Sequence, residues 1–519
     1  MSIRTVGRSR LRVETRKSIR VNVGMKLREL LEGVDVLGIF GPADAQVSAI
    51  ACDSRKAAIG GLFVALRGAA ADGNAFAGQA IEGGASVIVS EQGRPAGIAE
   101  SVSWVQVENS RHALAIISAN FYGRPAETLQ LVGITGTNGK TTTSYLVDSL
   151  LCAAGHKTGL FGTIAYRTPR GEQVAKNTTP ESLELERFFA EVRDAGGTHA
   201  TLEVSSHALA MDRVWGLQFA VAVFTNLTRD HLDYHQSMEE YFAAKRLLFD
   251  GLGAPPPGCG VVNADDPRAA DLAGRARRTL TYGIENNADI SVKKFSLSST
   301  GLEFSAQTPA GRVEINSALV GRINVYNILA AVGAGIALGL DREAIEVGVR
   351  NCRAVPGRFE RVDEGQPFLV VVDYAHTDDA LRNLIQTARE LLGKNGRVIT
   401  LFGCGGERDR TKRPLMGEAA GSLSDFVVLT SDNPRSEDPL KIINDAVVGL
   451  QRAQANYVIE PERSRALEIA LERAQAGDIV LLAGKGHETH QVLRDRTLDF
   501  DDRTEARRVL RARGFRGSN

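Results

Sequence analysis

The run Leu131-Val132-Gly133-Ile134-Thr135-Gly136-Thr137-Asn138-Gly139-Lys140-Thr141-Thr142 restricts the fold of this chain more than any other stretch. An apolar strand delivers a glycine loop to the start of a helix, expected from Thr143 to Cys152. Glycine lets backbone N–H groups turn inward on phosphate oxygens, and the helix N-terminus adds partial positive charge. Lys140 neutralises the outer phosphates and Thr141 can hold Mg²⁺. ATP or GTP is the implied ligand. The run departs from the common GxxxxGK(S/T) form, because Ile134 stands five before Gly139.

A phosphate loop at a strand end belongs to a mostly parallel sheet that binds ligands at its C-terminal strand ends. Further strand candidates follow at Ala200 to Val204 and Ala220 to Phe224, each before a loop rich in His, Asp and Thr. Asp289 to Leu319 reads as an antiparallel insert with alternation in Ile290 to Leu297 and Val313 to Leu319, and a helix is expected from about Tyr326 to Leu340. At 519 residues the chain exceeds one ordinary core and should form about three domains of ~150 residues. Gly-Pro punctuation marks the boundaries, at Phe121 to Pro125 and at Pro356-Gly357. The expected class is therefore α/β in three domains. Residues 25–124 form a small N-terminal α/β domain, 125–355 a central phosphate-loop domain on a parallel sheet, and 356–519 a C-terminal Rossmann-like, doubly wound domain.

Met1 to Gly24 holds six Arg and Lys17 against Glu14 and lacks the apolar stretch of a secretory signal. It reads as a disordered leader or as a start codon assigned too early, since an amphipathic helical pattern begins at Met25. Hydrophobic residues at 43% and charged residues at 24% exclude wholesale disorder. Lys plus Arg and Asp plus Glu both number 62, so no overall field draws the chain to nucleic acid or an acidic membrane. Cys52, Cys152, Cys259, Cys352 and Cys404 are scattered without CxxC spacing, which fits neither a zinc module nor a disulfide framework and suits a reducing cytoplasm. Apolar runs such as Phe368 to Val372 fall far short of the ~20 residues that cross a bilayer.

A phosphate loop leaves kinase, ATPase and ligase open. Glu203, in Thr201 to His207, and His231, in Thr225 to Asp233, follow strands and become Mg²⁺ ligand candidates in series with the loop. Lys245 lies in Tyr241 to Phe249, a helical stretch dense with apolar side chains, where a lysine alone is expected to snorkel to solvent.

Together, Gly136 to Thr142, Glu203 to His207, Asp230-His231-Leu232-Asp233-Tyr234-His235 and Ala244-Lys245 resemble the Mur ligases, the ATP-dependent amino-acid-adding enzymes of peptidoglycan synthesis. The likeness runs from about Met25 to the end. It includes Asp53-Ser54-Arg55, Asn177-Thr178-Thr179-Pro180, Pro356 to Glu360, Asp373 to Thr377 and Gly484 to Glu488, and is strongest to the third ligase of the series. Asp432-Asn433-Pro434-Arg435 is similar to the signature of members that add meso-diaminopimelate rather than L-lysine.

The resemblance implies that ATP phosphorylates the D-glutamyl γ-carboxylate of UDP-N-acetylmuramoyl-L-alanyl-D-glutamate and that the diaminopimelate amine displaces the phosphate. It puts Gly136, Thr137, Asn138, Gly139, Lys140, Thr141 and Thr142 on ATP, completed by Asn324, Arg358, Asp373 and His376. It makes Thr141, Glu203 and His231 metal ligands, and Lys245 a carbamylated lysine beside a second Mg²⁺. Lys140, Glu203, His231 and Lys245 form the implied catalytic set. Ser54, Asn177, Thr178, Thr179, Ser205 and Arg213 are implied contacts of the UDP-sugar peptide. Arg408, Asp432, Asn433, Pro434, Arg435, Gly484 and Glu488 are implied contacts of the amine. An arginine fork suits the distal carboxylate by which diaminopimelate differs from lysine. The expected protein is a cytoplasmic monomer with no nucleic-acid partner and no membrane insertion. Met211 stands where some relatives carry glutamine, and Met1 to Gly24 has no counterpart in the family. A lysine-adding ligase is disfavoured by Arg435, a folylpolyglutamate synthase by Asp53-Ser54-Arg55, and a silent scaffold by the intact Lys140, Glu203, His231 and Lys245.

Overall fold

The computed structural model describes residues 24–68, 71–393 and 395–516. The basic leader therefore lies outside the described residues, apart from Gly24. The chain divides between Phe121 and Tyr122 into two compact units. Among the described residues no helix is long and apolar enough to cross a membrane.

The first unit carries a five-stranded sheet ordered Val36–Phe40, Ser103–Val107, Ala85–Ser90, Gly61–Val64 and Ala49–Ala51. Only the outer Val36–Phe40 strand runs antiparallel to its neighbour. The pattern beginning at Met25 is a two-residue strand followed by one helical turn, Leu27–Leu30, which buries Leu27 and Leu30.

In the second unit, an eleven-stranded sheet has the phosphate-loop strand Gln130–Thr135 between His199–Glu203 and Phe219–Phe224, all parallel. Each face is apolar because successive side chains alternate. Val221 and Val223 join a core with Leu146, Leu150 and Ile328, whereas Ala222 and Phe224 join another with Phe188, Leu248 and Phe249. The expected antiparallel insert is present, Ile290–Ser298, Gly301–Thr308 and Gly311–Ser317 pairing antiparallel in turn, and it continues this sheet rather than standing apart. Ile290–Ser298 pairs parallel with Thr279–Gly283, and Gly301–Thr308 and Gly311–Ser317 extend the edge. The middle strand alternates too, with Leu302, Phe304 and Ala306 buried and Glu303 and Gln307 exposed.

A six-stranded sheet completes the second unit, ordered Glu360–Val362, Leu369–Asp373, Ile479–Ala483, Val398–Cys404, Phe426–Ser431 and Tyr457–Ile459. All its pairs are parallel except the first. Helices cover both faces, with Leu384 and Ile442 in one core and Leu467 and Leu510 in the other. Its C-terminal strand ends carry Asp373, Cys404, Ser431 and Ala483, and the loops after them hold most of the implied amine contacts.

Candidate active site

The phosphate-loop helix spans Lys140–Ala153, three residues earlier than expected, so Lys140, Thr141 and Thr142 form its first turn. Gly139 caps it at φ +88°, where a Cβ would lie 2.4 Å from Asn327 Oδ1. A side chain at Gly136 would meet Thr225 Oγ1 at 1.9 Å. Only glycine fits at either point. Asn226 shapes the loop from the neighbouring strand end: its carbonyl accepts from Thr137 N–H at 2.8 Å, and its Oδ1 from Asn138 N–H at 2.9 Å.

Two lysines converge on the loop. Lys140 Nζ donates to the Gly136 carbonyl at 3.0 Å and to that of Thr137 at 2.8 Å. Lys245 Nζ donates to the same Gly136 carbonyl at 2.8 Å. Lys245 does not snorkel: it is 2% exposed, because helix Met238–Asp250 turns Tyr241, Lys245, Leu248 and Phe249 inward together. Its amine lies 4.3 Å from the Tyr241 ring centroid. Burial and then the neighbouring Lys140 push it well below the ordinary lysine range, and burial lowers Lys140 as well.

Glu203 ends its strand as a buried carboxylate that accepts from Thr141 Oγ1 at 2.9 Å, Thr163 N–H at 2.9 Å and Thr163 Oγ1 at 3.0 Å. Arg358, from the region of the six-stranded sheet, donates through Nη2 to Thr141 Oγ1 at 3.0 Å. His231 has φ +56° and lies on a separate loop, 3.4 Å from Asp230 and against the rings of His207 and Tyr241. Burial drives His231 toward neutrality despite Asp230, leaving its ring nitrogens suited to metal.

Asn138, Gly139, Thr142, Asn324, Arg358 and Asp373 line one cleft between the two sheets. Six of the implied ATP contacts therefore come together. Asn324 lies in the first turn of helix Arg322–Ala337, which begins four residues before the expected start. His376 is outside the cleft lining; its Nδ1 lies 2.9 Å from the Tyr374 carbonyl, and burial lowers it to about 4. Asn138 Nδ2 donates to Asp379 Oδ2 at 2.7 Å, a second tie between the sheets.

Four implied peptide contacts form a hydroxyl network beside Glu203. Thr179 Oγ1 donates to the Glu203 carbonyl at 2.8 Å and accepts from Ser205 N–H at 3.1 Å. Arg213 Nη1 donates to the Thr179 carbonyl at 3.0 Å, and Thr163 Oγ1 reaches Thr178 Oγ1 at 3.2 Å. Asn177 is held apart from it, through the Tyr166 hydroxyl. Ser54 belongs to the first unit, where it donates to Gln79 Oε1 at 2.6 Å.

The implied amine contacts gather at three strand ends. Asn433 Nδ2 donates to Glu488 Oε2 at 2.9 Å, and a Cβ on Gly484 would lie 3.9 Å from the Asp432 carboxyl carbon. Arg435, at φ +51°, donates through Nη1 to the Gly406 carbonyl at 2.7 Å. A Cβ on Gly406 would lie 2.0 Å from the Pro434 carbonyl, so the two loops meet. A Cβ on Gly405 would lie 3.3 Å from Arg435 Nη1 and 3.7 Å from Arg408 Cγ, which brings both guanidinium side chains to one glycine.

Sequence reasoning missed Thr163, Asn226, Asp379 and Lys485. Asn226 stands two residues past the strand beside the phosphate loop, and that nearness could have found it. Thr163 and Asp379 act through contacts distant in sequence, and Lys485 joins near neighbours to Asn433, 52 residues away.

Three family models match: the Mur ligase family catalytic domain over residues 46–122, the Mur ligase middle domain over 134–335, and the Mur ligase glutamate ligase domain over 357–486. The chain is 55% identical over 494 residues to the UDP-N-acetylmuramoyl-L-alanyl-D-glutamate--2,6-diaminopimelate ligase of Solibacter usitatus, covering 95% of this chain and 99% of that one. It is 45% identical to the enzyme of that name from Geobacillus thermodenitrificans, covering 94% and 100%. A solved structure of a ligase of the same name aligns with a TM-score of 0.65 at 31% identity, covering 95% of this chain and all of the other. The chain belongs to the Mur ligase family.

Proposed function

We propose that this protein joins 2,6-diaminopimelate, in its meso form, to the D-glutamyl γ-carboxylate of UDP-N-acetylmuramoyl-L-alanyl-D-glutamate, using ATP. The observation that carries the reading is the convergence of Lys140 and Lys245 on one loop carbonyl, beside the Glu203–Thr141–Arg358 chain. Neither lysine makes an ion pair among the described residues; Lys140, in the first turn of the loop's helix, suits a polyphosphate, and the buried Lys245 beside it is held toward its uncharged form.

A γ-carboxylate oxygen of the substrate attacks the γ-phosphorus of ATP, and ADP leaves. The amine nitrogen then attacks the acyl carbon, phosphate leaves, and the nitrogen gives up a proton. Lys140 neutralises the transferring phosphoryl group, and Arg358 brings a second positive charge from the other sheet. Thr179, Ser205 and Arg213 hold the peptide so that its carboxylate faces the loop. Closure of the two sheets keeps water from the acyl phosphate.

Thr141 and Glu203 offer the hard oxygen donors that magnesium takes, a hydroxyl and a buried carboxylate, and the neutral His231 imidazole offers a nitrogen beside them. Thr141, Glu203 and His231 would hold it, and bound Mg²⁺ would screen the repulsion between carboxylate and phosphate. Lys245 is suited to carbamylation, because only an uncharged amine reacts with carbon dioxide. The amine nitrogen would bond the carbon and release a proton, and the resulting carboxylate would offer oxygen to a second metal. Asp432, Asn433, Glu488 and Gly484 would hold the distal ammonium end of the amine, and Arg408 and Arg435 its carboxylate. Ser54 would contact the uridine diphosphate. Under this reading residues 25–124, 125–355 and 356–519 act as three domains of a cytoplasmic monomer.

Product identification tests the proposal. With ATP, Mg²⁺, the dipeptide precursor and meso-diaminopimelate, the precursor should gain one diaminopimelyl residue as ADP forms. Precursor recovered unchanged, with no ADP, would overturn it.

A further inference from the structure

We propose that Lys485 is the positioning residue that sets the charge and orientation of the amine-recognition loops, and so the preference for a zwitterionic over a simply cationic distal end. This rests on the function proposed above. Lys485 follows Gly484 at the end of strand Ile479–Ala483, and its side chain is 0% exposed. Its ammonium lies 2.7 Å from the His490 carbonyl, 3.1 Å from Asn433 Oδ1, 3.4 Å from Glu488 Oε2 and 3.5 Å from Asp432 Oδ1. An ammonium has three donors and no acceptor, so this one group ties together the loops after Phe426–Ser431 and Ile479–Ala483 and the hairpin at His490.

The tie fixes the Asn433 amide. Its Oδ1 accepts from Lys485 Nζ and, at 3.0 Å, from Val492 N–H, which leaves Nδ2 to donate to Glu488. Without the cation, Oδ1 would lose one of its two donors, and only Val492 N–H and Glu488 would still hold the amide in place. Lys485 also sets the local charge. Asp432 and Glu488 bring two formal negatives and Lys485 one positive, which leaves a single negative charge, suited to one ammonium. Asp432 Oδ1 is buried without a hydrogen bond, though the cation is in ion-pair range, and a buried carboxylate oxygen in that state wants a donor from a ligand. Arg435 and Arg408 beside it await a carboxylate. The cluster as a whole thus matches an ammonium and a carboxylate on one carbon. Removing Lys485 would leave two negatives and shift the balance toward a ligand bearing only an ammonium.

The test compares wild type with Lys485→Gln and Lys485→Met, using meso-diaminopimelate and L-lysine as amines. In both variants the KM for diaminopimelate should rise by about tenfold or more, and the ratio of kcat/KM for diaminopimelate to that for lysine should fall by about tenfold. The KM values for ATP and the dipeptide precursor should stay within about twofold. A merely structural lysine would lower both amines alike, so an unchanged ratio overturns the assignment. So does failure of both variants to fold, which would make Lys485 a general support. Wild-type turnover with diaminopimelate is the control: its absence removes the proposed function, whereas its presence with an unchanged variant ratio removes only the role of Lys485.

Discussion

At the scale of single residues, burial decides what Lys245 and Glu186 can be. Taking a lysine amine out of water disfavours its charged form, and Lys140 beside it adds like-charge repulsion. Lys245→Ala should therefore lose most ligase activity, and short carboxylic acids should restore part of it by standing in for the missing carboxylate. Wild-type turnover in that variant would remove Lys245 from the site. Glu186 is 4% exposed on helix Ser182–Asp194, and burial, with Glu127 nearby, pushes its carboxyl up to about 8. The unfolded chain releases this proton near pH 4.5 and the folded protein holds it, so its stability contribution is complete below pH 4.5 and is lost as pH rises toward 8. Glu186→Gln removes that loss, gaining on the order of 3 kcal/mol relative to wild type between the two ends of this window. Urea unfolding at pH 5 and pH 8 measures it; an equal difference between the two proteins at both values contradicts it.

At the scale of elements, close helix contacts rest on glycine. Helices Lys412–Leu423 and Pro439–Arg452 cross so tightly that a Cβ on Gly449 would lie 1.8 Å from the Pro414 carbonyl and 2.5 Å from Glu418 N. Both are backbone atoms and cannot swing away. Gly449→Ala should cost about 1–3 kcal/mol in thermal or urea unfolding, although alanine is the better helix former. A stabilised variant would show that the helices separate freely. This crossing was not legible in the sequence, which marks neither partner of the contact. The parallel strands were, since Val221 to Phe224 are apolar on both faces and bounded by turn residues. Phosphate-loop geometry was legible because glycine, lysine and threonine are each demanded by backbone shape or charge. Lys245 was legible only through resemblance, since a lysine in an apolar helix carries no sign of which way it points. Thr163 and Lys485 owe their positions to loops brought together by the folded sheets.

For the molecule as a whole, the decisive feature is that the six-stranded sheet presents its loops to the phosphate loop within one compact unit. Arg229 lies 3.8 Å from Asp409 and donates to Thr411 Oγ1 at 2.5 Å, and Lys412 lies 3.9 Å from Asp230, next to His231. The segment carrying Arg408 thus touches the segment carrying His231. Arg229→Ala should raise the KM for the amine severalfold with little change in that for ATP, and cost only about 1 kcal/mol of stability or less because the pair is partly exposed. Unchanged amine kinetics would mean that the two segments touch without coupling. The central claim is the reaction itself, and ADP release tests it most directly. Purified protein with ATP, Mg²⁺ and UDP-N-acetylmuramoyl-L-alanyl-D-glutamate is given meso-diaminopimelate or L-lysine. The account predicts turnover with diaminopimelate and little with lysine, because lysine brings no carboxylate to the Arg435 guanidinium. Equal or better turnover with lysine, or none with either amine, would contradict it.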